Sequence, residues 1–240
     1  MTKATTAVKR FIRGHSRLIG SVLAVQTERR EIVLSYDDGP EPGGTERVLD
    51  ALADRGASAT FFVLLTRARL YTSLLADVVA AGHEIALHGE DHKPLTDFRF
   101  SEVVARTSAA KAELEDLTGQ RVRWVRPPYG RQSFSTWLAI RHAGVQSVLW
   151  GPTMWDSRHV TDDERVQQAL RGAVPGAILL GHDGHAGPAD GVDDGPSPEF
   201  DRGRLTRRVL DEYDALGLSG CSLGRALDNG TVMRGAWFSR

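Results

Sequence analysis

Two carboxylates stand side by side at Asp37-Asp38, and two imidazoles stand four residues apart at His88 and His92. The carboxylates close an apolar run, Glu31 to Tyr36, where paired negative charge is costly unless a proton or cation offsets it. Gly39-Pro40 follows, a turn signal able to bring both toward one pocket. Imidazoles four apart converge on one ion if their segment turns helically. Alone, each pair has an ordinary reading, a plain turn and surface histidines. Together they offer two His and one carboxylate, three protein ligands that leave positions open for water and substrate.

Three further segments carry polar residues of the same kind. Arg126-Pro127-Pro128-Tyr129-Gly130 has a cation able to contact a carboxylate in two places, on a turn stiffened by two prolines. Trp150 to Asp156 offers Trp155 as a sugar-stacking or pocket wall, with Trp150 read as core. Leu179-Leu180-Gly181-His182-Asp183 ends an apolar run on His182, a candidate general acid. His83 is read as structural, because it starts the run that His88 ends. Cys221, the sole cysteine, reads as a small buried hydrophobe.

The elements that must position these residues follow a regular alternation. Short β-rich runs fall at 31–36, 59–63, 84–88, 122–126, 145–150, 177–181 and 219–223. Helical periodicity falls near 45–55, 70–81, 101–118, 134–143, 162–171 and 203–216. Gly119 reads as a helix C-cap and Thr161 as an N-cap. The fold class is α/β with a parallel sheet, either open and doubly wound or closed as a barrel. Each polar segment closes a strand, where both arrangements build their sites.

Two stretches break the rhythm. Residues 7–25 read as a basic amphipathic helix, packed on the domain or lying on an anionic membrane surface. Residues 183–203 are rich in Asp, Gly and Pro, a length of loop that is usually functional or mobile. The domain reading is a basic N-terminal segment over 1–30, a catalytic domain over 31–228 and a tail over 229–240.

Composition narrows the classes. A chain of 240 residues and net charge −1 suits one buried domain and predicts no nucleic-acid partner. Residues 1–30 nevertheless hold seven cations against Glu28 alone. One cysteine excludes an internal disulfide and a thiolate metal cluster. No export signal is read, so the expected location is the cytoplasm, with contact to a membrane surface through 7–25. Oligomeric state is not legible.

In this order the segments resemble the polysaccharide deacetylase family, the NodB-homology domains, over about residues 31–228. The resemblance rests on Tyr36-Asp37-Asp38-Gly39-Pro40, His88-Gly89-Glu90-Asp91-His92, Arg126-Pro127-Pro128-Tyr129-Gly130, Trp155-Asp156-Ser157-Arg158-His159-Val160 and Leu180-Gly181-His182. It implies a distorted (β/α) barrel of about seven parallel strands and a hydrolase dependent on one divalent ion, zinc first and cobalt or nickel next. It assigns Asp38, His88 and His92 to the metal, Asp37 as general base and His182 as general acid. Arg126 orients Asp37, and the Tyr129 backbone N–H holds the oxyanion. Leu180, Trp155, Pro128 and Asp156 belong to the substrate pocket. The fourth segment departs from the family pattern, Asp-x-x-Asp-Trp, with His159-Val160 in the last two places. Support for His182 then comes from Asp156 or from nowhere.

The leading expectation is removal of an N-acetyl group from an amino-sugar glycan or glycan precursor. A C–N hydrolase acting on a cyclic amide or ureide and a metal-binding recognition protein without catalysis stay open.

Overall fold

A computed structural model describes residues 19–238. Strands β1 (Ser21–Thr27), β2 (Glu31–Asp37), β3 (Thr60–Leu64), β4 (Glu84–Gly89), β5 (Trp124–Val125), β6 (Gln146–Ser147), β7 (Ile178–His182), β8 (Ser219–Cys221) and β9 (Gly230–Gly235) are joined largely by helices. These are α1 (Thr45–Ala53), α2 (Leu65–Leu70), α3 (Thr72–Ala80), α4 (Phe100–Thr118), α5 (Phe134–His142), α6 (Asp162–Leu170), α7 (Arg202–Ala215) and α8 (Leu223–Leu227).

β2 to β8 form a parallel sheet in the order β6-β5-β4-β3-β2-β7, with β8 also on β2. Beyond β6 the chain reaches β7. Gly151 N–H donates to Ile178 O at 3.0 Å, and Met154 N–H donates to Leu180 O at 2.9 Å. That contact closes the sheet on itself, making a (β/α) barrel distorted where two strands are only two residues long. β1 lies across the same seam, with Leu149 N–H donating to Val22 O and Val25 N–H donating to Gly176 O, both at 2.8 Å.

Strand parity explains where the chemistry falls. Ile32 and Leu34, Phe61 and Val63, Ile85 and Leu87 pack outward against the helices. Their neighbours Val33, Phe62 and Ala86 belong to a second cluster inside the barrel, with Ile178 and Trp124. Strands buried on both faces need apolar residues at every position, which is why these runs show no alternation. Continuing the inner parity toward each C-terminus reaches Ser35 and Asp37, His88, Arg126, Leu180 and His182. Apart from Leu180, polar residues thus replace apolar ones at the mouth.

Helix ends follow the sequence signals. Gly119 takes φ 66° and closes α4, and Thr161 caps α6 through a reciprocal bond with Glu164. Three expectations change. The helix read over 7–25 fails over 21–25, which lie in β1, while residues 7–18 lie outside the described residues. β1 pairs antiparallel with β9, so a ribbon of two strands draws on both the 1–30 segment and the 229–240 tail. Val22 and Val25 are fully or almost fully buried, and that long-range pairing overrides their helical spacing. The helix read over 70–81 is α3, and a separate short helix that the periodicity did not mark, α2, precedes it, the two meeting at Tyr71. Among the described residues, no helix is long and apolar enough to cross a membrane.

Candidate active site

Asp38, His88 and His92 bring one donor atom each to within 4.8 Å of one another, and all three are buried. Asp38 Oδ1 lies 3.3 Å from His88 Nε2 and 3.4 Å from His92 Nε2. The far side of each imidazole fixes its tautomer. His88 Nδ1 faces the Arg126 carbonyl at 2.9 Å, an acceptor only, so it carries the proton. His92 Nδ1 faces the Asp194 carboxylate at 3.1 Å in the same way. Both Nε2 lone pairs therefore point at a carboxylate oxygen that is buried and has no hydrogen-bond partner. Three electron-pair donors facing one another without a proton between them are an arrangement for a cation.

The chain reaches this geometry through strained turns. Asp38, Tyr129 and Trp155 have φ of 73°, 59° and 50°, and no other described non-glycine residue has positive φ. Each such residue costs on the order of 1–3 kcal/mol, a cost concentrated here at the mouth of the barrel. Gly39, joined to Pro40 by a cis peptide bond, has no room for a side chain, since a Cβ there would collide with the Asp183 carboxylate. A Cβ on Gly184 would lie 2.6 Å from the Asp38 carbonyl oxygen. The loops after β2 and β7 are thus pressed backbone to backbone.

Asp37, the last residue of β2, precedes Asp38 and pairs in register with His182 on β7. Its Oδ1 accepts from Arg126 Nη1 at 2.5 Å, and its Oδ2 lies 3.8 Å from His88 Nε2. Arg126 is fully buried. Its Nη2 donates to Ser35 Oγ at 2.9 Å, and its guanidinium stacks 4.0 Å above the Phe62 ring. Burial lowers the Arg126 pKa, opposed by Asp37. His182 is held by Asp156, whose Oδ1 lies 2.8 Å from Nδ1 and whose Oδ2 accepts the His182 backbone N–H at 2.6 Å. Burial alone would lower the His182 pKa; Asp156, with help from Asp38 and Asp37, raises it to about 9. His182 is therefore protonated at neutral pH.

A cavity of about 410 Å³ joins Asp37, the triad, Tyr129, Leu180 and His182. The residues expected to carry chemistry meet in it, whereas some expected to line it do not. Trp155 is not among the residues that line this cavity: its backbone is left-handed, and the Arg158 guanidinium covers its ring at 4.3 Å. Pro128 is buried under Gly89, and Asp156 sits behind His182. Trp150, read as core, is half-buried and lines the cavity.

Sequence reasoning missed Asp194. It joins His92 to the Tyr129 hydroxyl, which donates to Asp194 Oδ1 at 2.7 Å. It comes from the 183–203 loop, which Arg67 anchors by donating from Nη2 to buried Asp190 at 2.7 Å. The loop could be marked from composition, but Asp190, Asp193 and Asp194 look alike in sequence. His83 is structural as read: its Nδ1 accepts the Ala59 N–H at 3.3 Å, and burial lowers its pKa to about 4.

A (β/α) barrel carrying a buried Asp-His-His triad at its C-terminal mouth, with a carboxylate and a protonated imidazole beside it, defines a metal-dependent hydrolase. A sequence profile described as polysaccharide deacetylase matches residues 24–148. A chitooligosaccharide deacetylase of Azorhizobium caulinodans is 32% identical over 170 residues, covering 70% of this chain and 80% of the relative. A peptidoglycan-N-acetylmuramic acid deacetylase of Bacillus subtilis is 30% identical over 172 residues, covering 71% of this chain and 36% of the relative. The chain belongs to the polysaccharide deacetylase family. Its fold also matches a CE4 family pseudoenzyme of Bacillus anthracis with a TM-score of 0.75 at 17% identity, covering 91% of this chain and 72% of that one. This fold therefore does not by itself decide catalysis, and the proton-transfer residues must.

Proposed function

We propose that the protein hydrolyses the N-acetyl group of an amino sugar in a glycan or glycan precursor. The observation that carries this reading is the placing of Asp37 and His182, each locked by its own partner, on adjacent strands beside the triad. Asp38, His88 and His92 would hold a divalent ion, with zinc the best fit to the mixed N/O donor set and cobalt or nickel next, which when bound would supply Lewis acidity toward the amide carbonyl and make water a stronger acid. Asp37, fixed by Arg126, takes the proton of the attacking water. His182, charged at neutral pH and oriented by Asp156, gives a proton to the leaving amine. In the roles the resemblance assigns, the Tyr129 backbone N–H meets the developing oxyanion and Leu180 meets the acetyl methyl.

A recognition protein would need neither a positioned base nor a positioned acid, and both are present here. The reading as a cyclic-amide hydrolase retains one support: Arg158 covers Trp155 where that pocket wall was expected. Acetate release across a panel of N-acetylated sugars, with zinc, cobalt or nickel added, tests the proposal. Release from an amino sugar supports it. Silence toward every sugar, with turnover of a cyclic ureide, would overturn it.

A further inference from the structure

A second cavity, of about 340 Å³, adjoins the catalytic one and shares Tyr129, Gly130 and Trp150 with it. Its remaining walls are Leu23, Leu149, Gly151 and Trp237. None of these residues carries a carboxylate, amide or guanidinium, and the Tyr129 hydroxyl is already committed to Asp194. A sugar ring needs partners for its hydroxyls, and this lining supplies little beyond indole N–H groups. A hydrocarbon needs none.

The cavity is built by the ends of the chain. The ladder between β1 and β9 slips between Val22 and Ala24, leaving Leu23 at the irregularity, where a bulge re-aims a side chain. Trp237 follows β9 and is 60% exposed. Its backbone is fixed by fully buried Gln132, whose Nε2 donates to the Trp237 carbonyl at 3.0 Å and to Ser21 Oγ at 2.5 Å. The next residue, Phe238, packs edge-on against Phe134 and Trp137, at ring centroid distances of 5.6 and 5.9 Å. Gly130 lets the Trp150 ring come close, since a Cβ there would lie 2.7 Å from it. Leu23 and Trp237 both lie outside residues 24–148, so the family match does not account for them.

From this continuity with the catalytic cavity, we infer that Leu23, Trp150 and Trp237 form a subsite for a hydrocarbon substituent on the glycosidic oxygen of the amino sugar. The inference rests on the N-deacetylase reading for the identity of the sugar. It places apolar-tailed amino sugars above free ones as substrates. Each methylene moved from water into such a site favours binding about fourfold.

The test compares methyl and hexyl glycosides of N-acetylglucosamine on the full chain, below the micelle concentration. Binding is read by calorimetry and kcat/KM by acetate release. The hexyl glycoside should bind at least about tenfold tighter than the methyl glycoside. Both W237A and L23S, each of which changes a lining residue, should bring that ratio toward one. A ratio near one in the unmodified protein, no binding of either glycoside, or a ratio that survives both substitutions would overturn the subsite. Preferential hexyl binding without acetate release would sustain the subsite and overturn the deacetylase reading instead.

Discussion

Asp156 grips His182 at two points, one oxygen on the ring Nδ1 at 2.8 Å and the other on the backbone N–H at 2.6 Å. The carboxylate thus sets both where the imidazole points and how strongly it holds its proton.

That relationship fixes the alkaline limb of activity. His182 must be protonated to act as an acid, and its pKa is raised to about 9, so turnover should fall as pH rises through about 9. Asp156→Asn removes the negative charge and should move this limb to lower pH, as a pH profile of kcat would record. The same raised pKa contributes stability that is fully present below the unfolded value of about 6.5 and lost as pH rises toward 9. An alkaline limb unchanged in Asp156→Asn would remove His182 from the acid role.

Arg126 and Asp37 are a buried ion pair with side chains 0% and 4% exposed. Arg126→Ala leaves the carboxylate buried without its partner, which should cost about 3–5 kcal/mol in denaturant unfolding and most of the turnover. Arg126→Lys keeps the charge but loses the fork that spans Asp37 and Ser35. It should recover more stability than activity.

Asp194 orients His92 from outside the triad. Asp194→Ala should weaken metal binding about 10–100-fold, measured by competition with a chelator, while the fold is retained. Asp194 comes from an exposed loop, so a drop in thermal stability as large as that for Arg126→Ala would mean a structural role instead.

Much of this was legible in sequence because barrel strands impose parity. Apolar runs broken by Asp37, His88, Arg126 and His182 at their C-terminal ends announce a mouth, and no local signal competes with that pattern. β1 was not legible: Val22 and Leu23 fit a helical stripe as well as a strand, and the pairing of β1 with β9 spans nearly the whole chain. Asp194 was hidden for a related reason, since it meets His92 across a sequence gap of 102 residues. Trp150 lines the cavity and Trp155 does not, and nothing in the residue type signals the positive φ of Trp155 or the Arg158 guanidinium over its ring.

The central claim is that Asp37 acts on water while Asp38 holds the ion. Metal content and acetate release measured together on Asp37→Asn separate the two neighbours. The account predicts about one divalent ion per chain, as in the unmodified protein, with turnover reduced about 10²–10⁴-fold. Unreduced turnover, or loss of the ion along with activity, would contradict it.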